Sequence, residues 1–274
     1  MSPDAATSKL RGCYVISLRP VGGHAPMRRA AAAHGARVLA LSPWRIEPRA
    51  DAATRAALRD ALRADMVLFT SPAAVNAAAA LQPLRPRRGQ RWLAVGAGTA
   101  AALRRAGVAE VIAPSRMDSE GLLSLPALQQ VRGTRIALVT APGGRNLIAP
   151  TLAARGARVQ RTEVYARVPV PPSPQALARL RALDAPAWLA LSSGEALQHV
   201  LATLPPDLLP RLRQARVLAA SERLAQLARE AGFDDVRVAA DARPRSLLAA
   251  ADADPASRSA SSDSMRSPTR PPQQ

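Results

Sequence analysis

The chain has 274 residues, 48% of them hydrophobic, which is ample for one or two cored domains. It carries 38 Lys and Arg against 20 Asp and Glu, a net charge of +18, and Lys9 is its single lysine. One cysteine, Cys13, excludes an internal disulfide and suits a reducing compartment, no run of 18 apolar residues offers a membrane span, and the N-terminus lacks the apolar stretch of a secretory signal.

Residues 1–12 read as a loose lead-in. Tyr14 to Leu18 is β-rich and short, hence a strand, followed by Arg19, Pro20 and Gly22–Gly23 in a turn. Pro26 to His34 follows as a helix and Val38 to Ser42 as a strand, and Trp44 to Pro48 continues extended. Thr54 to Ala64 is helical, with Ala57, Leu58, Ala61 and Leu62 on one face. Met66 to Phe69 is a strand, and Thr70-Ser71-Pro72 opens a helix with capping residues. After the basic loop Pro83–Gly89 come a strand at Trp92–Val95, the turn Gly96-Ala97-Gly98-Thr99 and a helix closed by Gly107. Glu110 to Ala113 reads as a strand, and Ser119-Glu120-Gly121 opens a short helix.

Ile136 to Val139 is the next strand, then Gly143-Gly144-Arg145 at a strand-to-helix turn suited to holding an anion, then a helix ending at Gly156. One strand is expected from Ala157 to about Tyr165. Val168 to Pro174, VPVPPSP, reads as an extended linker. Helix Gln175–Leu183 and strand Trp188–Leu191 follow, with Ser192-Ser193-Gly194 opening another helix. Strand Val217–Ala219, a helix capped by Ser221 and strand Val236–Ala239 complete the body. From about Asp252 the Ser-, Arg- and Pro-rich tail is expected to be disordered.

The chain repeats itself. Val15, Gly22–Gly23 and Gly35-Ala36-Arg37-Val38 recur at a constant offset of 121 residues as Ile136, Gly143–Gly144 and Gly156-Ala157-Arg158-Val159. The stretch from Ala64 resembles that from Ala185, and the stretch from Arg91 that from Arg216. A repeat of this length is a duplicated α/β half. Ten strands separated by helices predict two parallel, five-stranded, doubly wound sheets. The extended stretches Leu39–Pro48 and Val159–Val168 hold equivalent places and are candidates to pair as a two-stranded ladder between the domains. Periodicity leaves open whether each sheet is built from one copy or shared by both.

Three Arg balance three Asp in the tail, so the body keeps the whole positive excess. That excess points to a polyanionic partner, either nucleic acid or a small molecule with several acidic groups, and it equally fits the composition of a GC-rich genome. The three histidines, His24, His34 and His199, share no metal-ligand spacing and read as surface.

Taken in order, FTSPAAV (69–75), AVGAGTAAAL (94–103), SEGLL (119–123), PGGRNLIAPTLAARGARV (142–159), EVYAR (163–167) and ASERLAQLAREAGF (220–233) resemble the uroporphyrinogen-III synthases. The likeness runs from about Val15 to Leu248. It implies a bilobed α/β protein of flavodoxin-like halves, with domain 1 at 1–43 plus 168–251, domain 2 at 44–167 and a tail at 252–274. The two would carry 16 basic against 9 acidic residues and 19 against 8. The implied substrate is hydroxymethylbilane, a linear tetrapyrrole with eight carboxylates. The implied reaction is loss of its terminal hydroxyl as water and ring closure with inversion of ring D, by a monomeric cytoplasmic enzyme that uses no metal and no cofactor.

By the same resemblance Tyr165 is the acid near the leaving hydroxyl, and Thr99, Gly96, Thr70, Ser71, Ser192, Ser193, Ser221, Arg19, Gly144 and Arg145 bind substrate carboxylates. The residues alone also allow Tyr165 as a packed strand-end ring, the hydroxyl residues as plain helix caps, and the arginines as solvated. No membrane and no nucleic-acid partner is expected; contact with the upstream, bilane-forming enzyme is left open. The rival reading is a non-enzymatic two-lobed binding protein for a small polyanion.

Overall fold

The computed structural model describes residues 8–116, 119–143 and 146–253. The chain forms two compact units, Met1–Pro43 with Pro171–Gln274, and Trp44–Val170. It begins in the first with β1 (Tyr14–Ser17), α1 (Ala25–Ala32) and β2 (Arg37–Ala40). It then builds the second from β3 (Trp44–Pro48), α2 (Ala52–Ala61), β4 (Met66–Phe69), α3 (Pro72–Leu81), β5 (Arg91–Ala94), α4 (Ala97–Arg105), α5 (Ser119–Leu123), β6 (Arg135–Thr140), α6 (Ile148–Ala154), β7 (Arg158–Glu163) and β8 (Tyr165–Pro169). It completes the first with α7 (Pro174–Arg181), β9 (Ala187–Leu191), α8 (Gly194–Thr203), α9 (Leu209–Arg213), β10 (Arg216–Ala219), α10 (Glu222–Glu230), β11 (Val236–Val238) and α11 (Pro244–Ala249).

The first unit holds a parallel sheet in the order β11-β10-β9-β1-β2, and the second a parallel sheet in the order β5-β4-β6-β7. Each sheet is therefore shared: β1 and β2 belong to the first copy and β9 to β11 to the second, while β4 and β5 meet β6 and β7. In the second unit, alternation along each strand sends Val67, Phe69 and Val139 to a core under α2, α3 and α4. Met66, Leu68 and Leu138 face the other way, under α5 and α6. Helices thus cover both faces. Phe69 stacks on Trp92 with ring centroids 5.7 Å apart, and both are fully buried, each side chain contributing roughly 1.5–3 kcal/mol by removal from water. In the first unit Val15, Trp188 and Leu218 pack beneath α1 and α11.

β3 and β8 pair antiparallel as a separate two-stranded ladder, from Trp44↔Pro169 to Pro48↔Tyr165. Its centre is Ile46↔Arg167, and these two residues are themselves equivalent under the 121-residue offset.

Three sequence expectations change. Glu110–Ala113 is no strand; only Ile112 bridges to Leu93, so the second sheet has four strands rather than five. In the first unit the Ala239 N–H donates to the Ala219 carbonyl at 2.8 Å. Its counterpart is Pro114, which has no N–H to give. The strand expected from Ala157 to Tyr165 is broken at Val164 into β7, parallel to β6, and β8, antiparallel to β3. Val168 and Pro169, read as linker, finish β8.

The lead-in is also not loose from Ser8 on. Leu10 is fully buried, and the Asp252 carboxylate accepts from the Ser8 hydroxyl at 3.0 Å and the Lys9 N–H at 2.7 Å. Ser8 Oγ is 2.9 Å from His34 Nδ1, which lies 3.8 Å from Asp252. Asp252 therefore belongs to the folded body. The tail from residue 254 lies outside the described residues. Asp252→Ala is expected to cost about 1–2 kcal/mol and to lower Tm on the order of 3–6 °C, whereas ending the chain after Ala253 leaves Tm unchanged in the same thermal melt.

Candidate active site

In a parallel sheet every strand ends on the same edge, and crossovers that leave in opposite directions part there to open a crevice. In the second unit that switch lies between β4 and β6. Here the Thr70 hydroxyl donates to Thr140 Oγ1 at 2.8 Å, and the Thr70 N–H donates to the Val139 carbonyl. A cavity of about 280 Å³ opens beyond this pair, lined by Thr70, Ser71, Thr140, Arg161, Tyr165 and Arg167 among others.

Ser71 caps α3, its Oγ accepting the Ala74 N–H at 3.1 Å. The same oxygen lies 3.0 Å from the Tyr165 hydroxyl. The Tyr165 ring packs in the core beside Phe69 and Val139, leaving the residue 6% exposed, so packing and a hydroxyl aimed at the cavity coexist. The break at Val164 is what places this side chain. The Val164 N–H donates to the Thr140 carbonyl and its carbonyl accepts the Arg49 N–H, after which β8 starts in a new direction.

Two guanidinium groups line the cavity that sequence reasoning had not chosen. Arg161 donates to the Ala141 carbonyl at 2.6 Å and to the Gly143 carbonyl at 3.3 Å, and Arg167 donates to the Pro142 carbonyl at 3.2 Å. Both hold the turn after β6. Gly143 adopts φ +74°, a left-handed conformation that favours glycine, and a Cβ there would lie 3.5 Å from the Arg167 guanidinium. Arg161 shares the Glu163 carboxylate with Arg49, at 3.1 Å from each. Arg167 was findable: it stands two residues beyond Tyr165 on one strand, hence on the same face.

The other expected site residues fall elsewhere. Thr99 is buried in the first turn of α4 and does not line this cavity. Gly96 caps the same helix with φ −173°, extended backbone that any residue adopts, so glycine's freedom is not used there. Its counterpart in the first unit is Ser221, which caps α10 through the Leu224 N–H. Ser193 likewise caps α8 through the Ala196 N–H, with half-buried Ser192 before it at the end of β9. Arg19 follows β1 in that unit; burial lowers its pKa from the ordinary value, and it reaches the Ala242 carbonyl at 3.5 Å. Gly144 and Arg145 lie outside the described residues.

The histidines are not all surface groups. His34 is buried, and so is His24, with Nδ1 3.0 Å from Ser17 Oγ and Nε2 2.8 Å from Ser42 Oγ. A lone histidine carries no sequence mark of burial, and the two hydroxyl partners of His24 come from the end of β1 and just beyond β2, on either side of it. Among the described residues no cluster of His, Cys, Asp and Glu suits a metal, and no helix is long and apolar enough to cross a membrane.

The sequence matches the family model described as uroporphyrinogen-III synthase HemD over residues 25–249. The chain belongs to that family. It is 38% identical to the uroporphyrinogen-III synthase of Escherichia coli over 162 residues, 58% of this chain and 65% of that protein. It is also 38% identical to the Salmonella typhimurium protein of the same name over 169 residues, 58% of this chain and 66% of that one. Each match thus covers just under two thirds of the curated relative's length. Two solved structures share the fold. A mutant uroporphyrinogen III synthase from Thermus thermophilus has a TM-score of 0.57 at 23% identity, covering 86% of this chain and 96% of that one. The Helicobacter pylori uroporphyrinogen-III synthetase has a TM-score of 0.54 at 12% identity, with 86% and 97% covered.

Burial, reinforced by the charges of Arg28 and Arg19, lowers the His24 pKa from 6.5 to about 4. The unfolded chain then binds more protons between those values, so His24's contribution to stability is complete above pH 6.5 and is lost as pH falls toward 4. Urea unfolding across pH 4 to 7 is expected to show that slope, and His24→Gln to flatten it.

Proposed function

We propose that this chain is a uroporphyrinogen-III synthase, closing hydroxymethylbilane to uroporphyrinogen III with loss of water and inversion of ring D. The observation that carries this reading is the Tyr165 hydroxyl beside Ser71 Oγ in a cavity lined by Arg161 and Arg167 at the switch point. Family membership and the shared fold support it.

In this reading Tyr165 donates its proton to the leaving hydroxyl as the C–O bond breaks, while the electron pair comes from the attached pyrrole. The phenolate left behind accepts a hydrogen bond from Ser71 and regains a proton when the newly bonded carbon loses one, so acid and base roles balance over the cycle. Arg161 and Arg167 receive carboxylates of the bilane through charge-assisted hydrogen bonds. A cavity of about 280 Å³ accommodates only part of such a molecule. At the strand ends of the first unit Ser192, Ser193, Ser221 and Arg19 are the corresponding candidates for binding a carboxylate, and Thr99 and Gly96 belong to the first turn of α4. Because the bilane also closes unaided without inversion, holding its ends in the productive geometry is the main task. We place the reaction in the cytoplasm.

Incubation with freshly prepared hydroxymethylbilane, followed by separation of the type I and type III products, tests the reading. The wild-type chain yields type III; tight binding with only type I would establish the rival binding protein. Tyr165→Phe keeps the packed ring and is expected to lower kcat by about 10²-fold or more, with Tm nearly unchanged; an unaltered kcat removes Tyr165 from the mechanism.

A further inference from the structure

The opposite edge of the second unit's sheet, where the strands begin, carries a charge pattern unrelated to the cavity. Arg91, Arg135 and Arg158 are the first residues of β5, β6 and β7, and Arg63 stands just before β4. All four are exposed. The Arg135 guanidinium and that of exposed Arg87 both donate to the Arg63 carbonyl, which fixes their positions. Among the described residues, none of these five guanidinium groups lies within 4.0 Å of a carboxylate.

The duplication supplies an internal control. In the first unit the counterparts of Arg158 and Arg91 are Arg37 and Arg216, and each is answered by an acid: Arg37 by Asp184 at 3.7 Å and Arg216 by Asp235 at 3.3 Å. Arg37 also lies over the Tyr14 ring at 4.2 Å. Under the 121-residue offset the position of Asp184 is occupied in the second unit by Arg63, a reversal of charge, and Tyr14 is replaced by Arg135. On the second unit's edge the Asp65 carboxylate accepts the Arg135 backbone N–H at 2.8 Å, and among the described residues the guanidinium groups have no such partner; genome composition acts on both copies alike and does not account for that difference.

A recess of about 260 Å³ sits in this open edge. Arg135, Arg158, Gln160, Ala64, Ile136 and Val159 line it. Exposed guanidinium groups match an acidic side chain, whose carboxylate accepts charge-assisted hydrogen bonds from them. Trp92, the nearest aromatic in sequence, is buried and offers no surface for stacking a base. In the first unit the arginine equivalent to Arg158 does meet a carboxylate, that of Asp184, at 3.7 Å.

We propose that this recess is a docking site for an acidic segment of a partner protein, with one Glu or Asp side chain seated between Arg135 and Arg158. It lies on the sheet edge opposite the candidate active site and does not depend on the catalytic reading. The test is fluorescence anisotropy of a labelled hexaglutamate peptide with the full chain at 150 mM salt, beside a labelled duplex DNA and a labelled single-stranded RNA. Arg135→Gln/Arg158→Gln is expected to weaken peptide binding at least tenfold. The charge-matched control Arg104→Gln/Arg105→Gln, on exposed positions of α4, should change it less than threefold. Arg63→Asp, which restores the acid found in the first unit, should also abolish binding while leaving the thermal melt intact. Equal loss in the control pair would reduce the site to general charge and overturn the proposal. So would Arg63→Asp binding as wild type, or nucleic acid binding more tightly than peptide through the same two arginines.

Discussion

A parallel sheet whose crossovers reverse direction must part at one point on its C-terminal edge, and in the second unit that point is spanned by the hydroxyl bond from Thr70 to Thr140. The candidate catalytic groups of that unit are arranged around the gap. Ser71 follows Thr70 directly and caps the departing helix; the turn after Thr140 is held by Arg161 and Arg167. Tyr165 arrives from the third side because β7 ends at Val164 and the chain changes partners. A helix cap, a strand break and a left-handed glycine, each ordinary alone, converge where the topology parts the crossovers.

Most of the architecture was legible because its signals are local and occur twice. Short apolar runs, capping residues and glycine stops mark the elements, and the constant offset marks the two copies. What escaped depends on partners rather than on pattern. Pro114 ends a strand that Glu110–Ala113 otherwise promises, since the lost donor sits one residue past the run. Nothing in Arg158–Pro169 signals that pairing switches from parallel to antiparallel, because both strand types share a two-residue alternation. The burial of His24 depends on hydroxyl groups from two neighbouring strand ends, and the clasp of Asp252 on Ser8 and Lys9 joins segments far apart in sequence.

The candidate site was legible in part for the same reasons. Tyr165, Thr70 and Ser71 do come together, and each lies in a motif that could be quoted from the chain. Thr99 does not reach the cavity, because the first turn of α4 directs it inward. Arg161 and Arg167 were hidden in a sequence so rich in arginine that no single one stands out. Comparing the copies position by position separates structural arginines from unanswered ones, which counting alone cannot do.

The register of the β3–β8 ladder has a consequence for how such a chain arose. A strand that meets its own equivalent residue at the midpoint, as Ile46 meets Arg167, makes the contact two identical polypeptides make across a two-fold axis. Each sheet also borrows strands from both copies. A single ancestral half with these strands would have been a strand-exchanged homodimer before its gene was doubled and fused, and fusion would have freed each half to change alone.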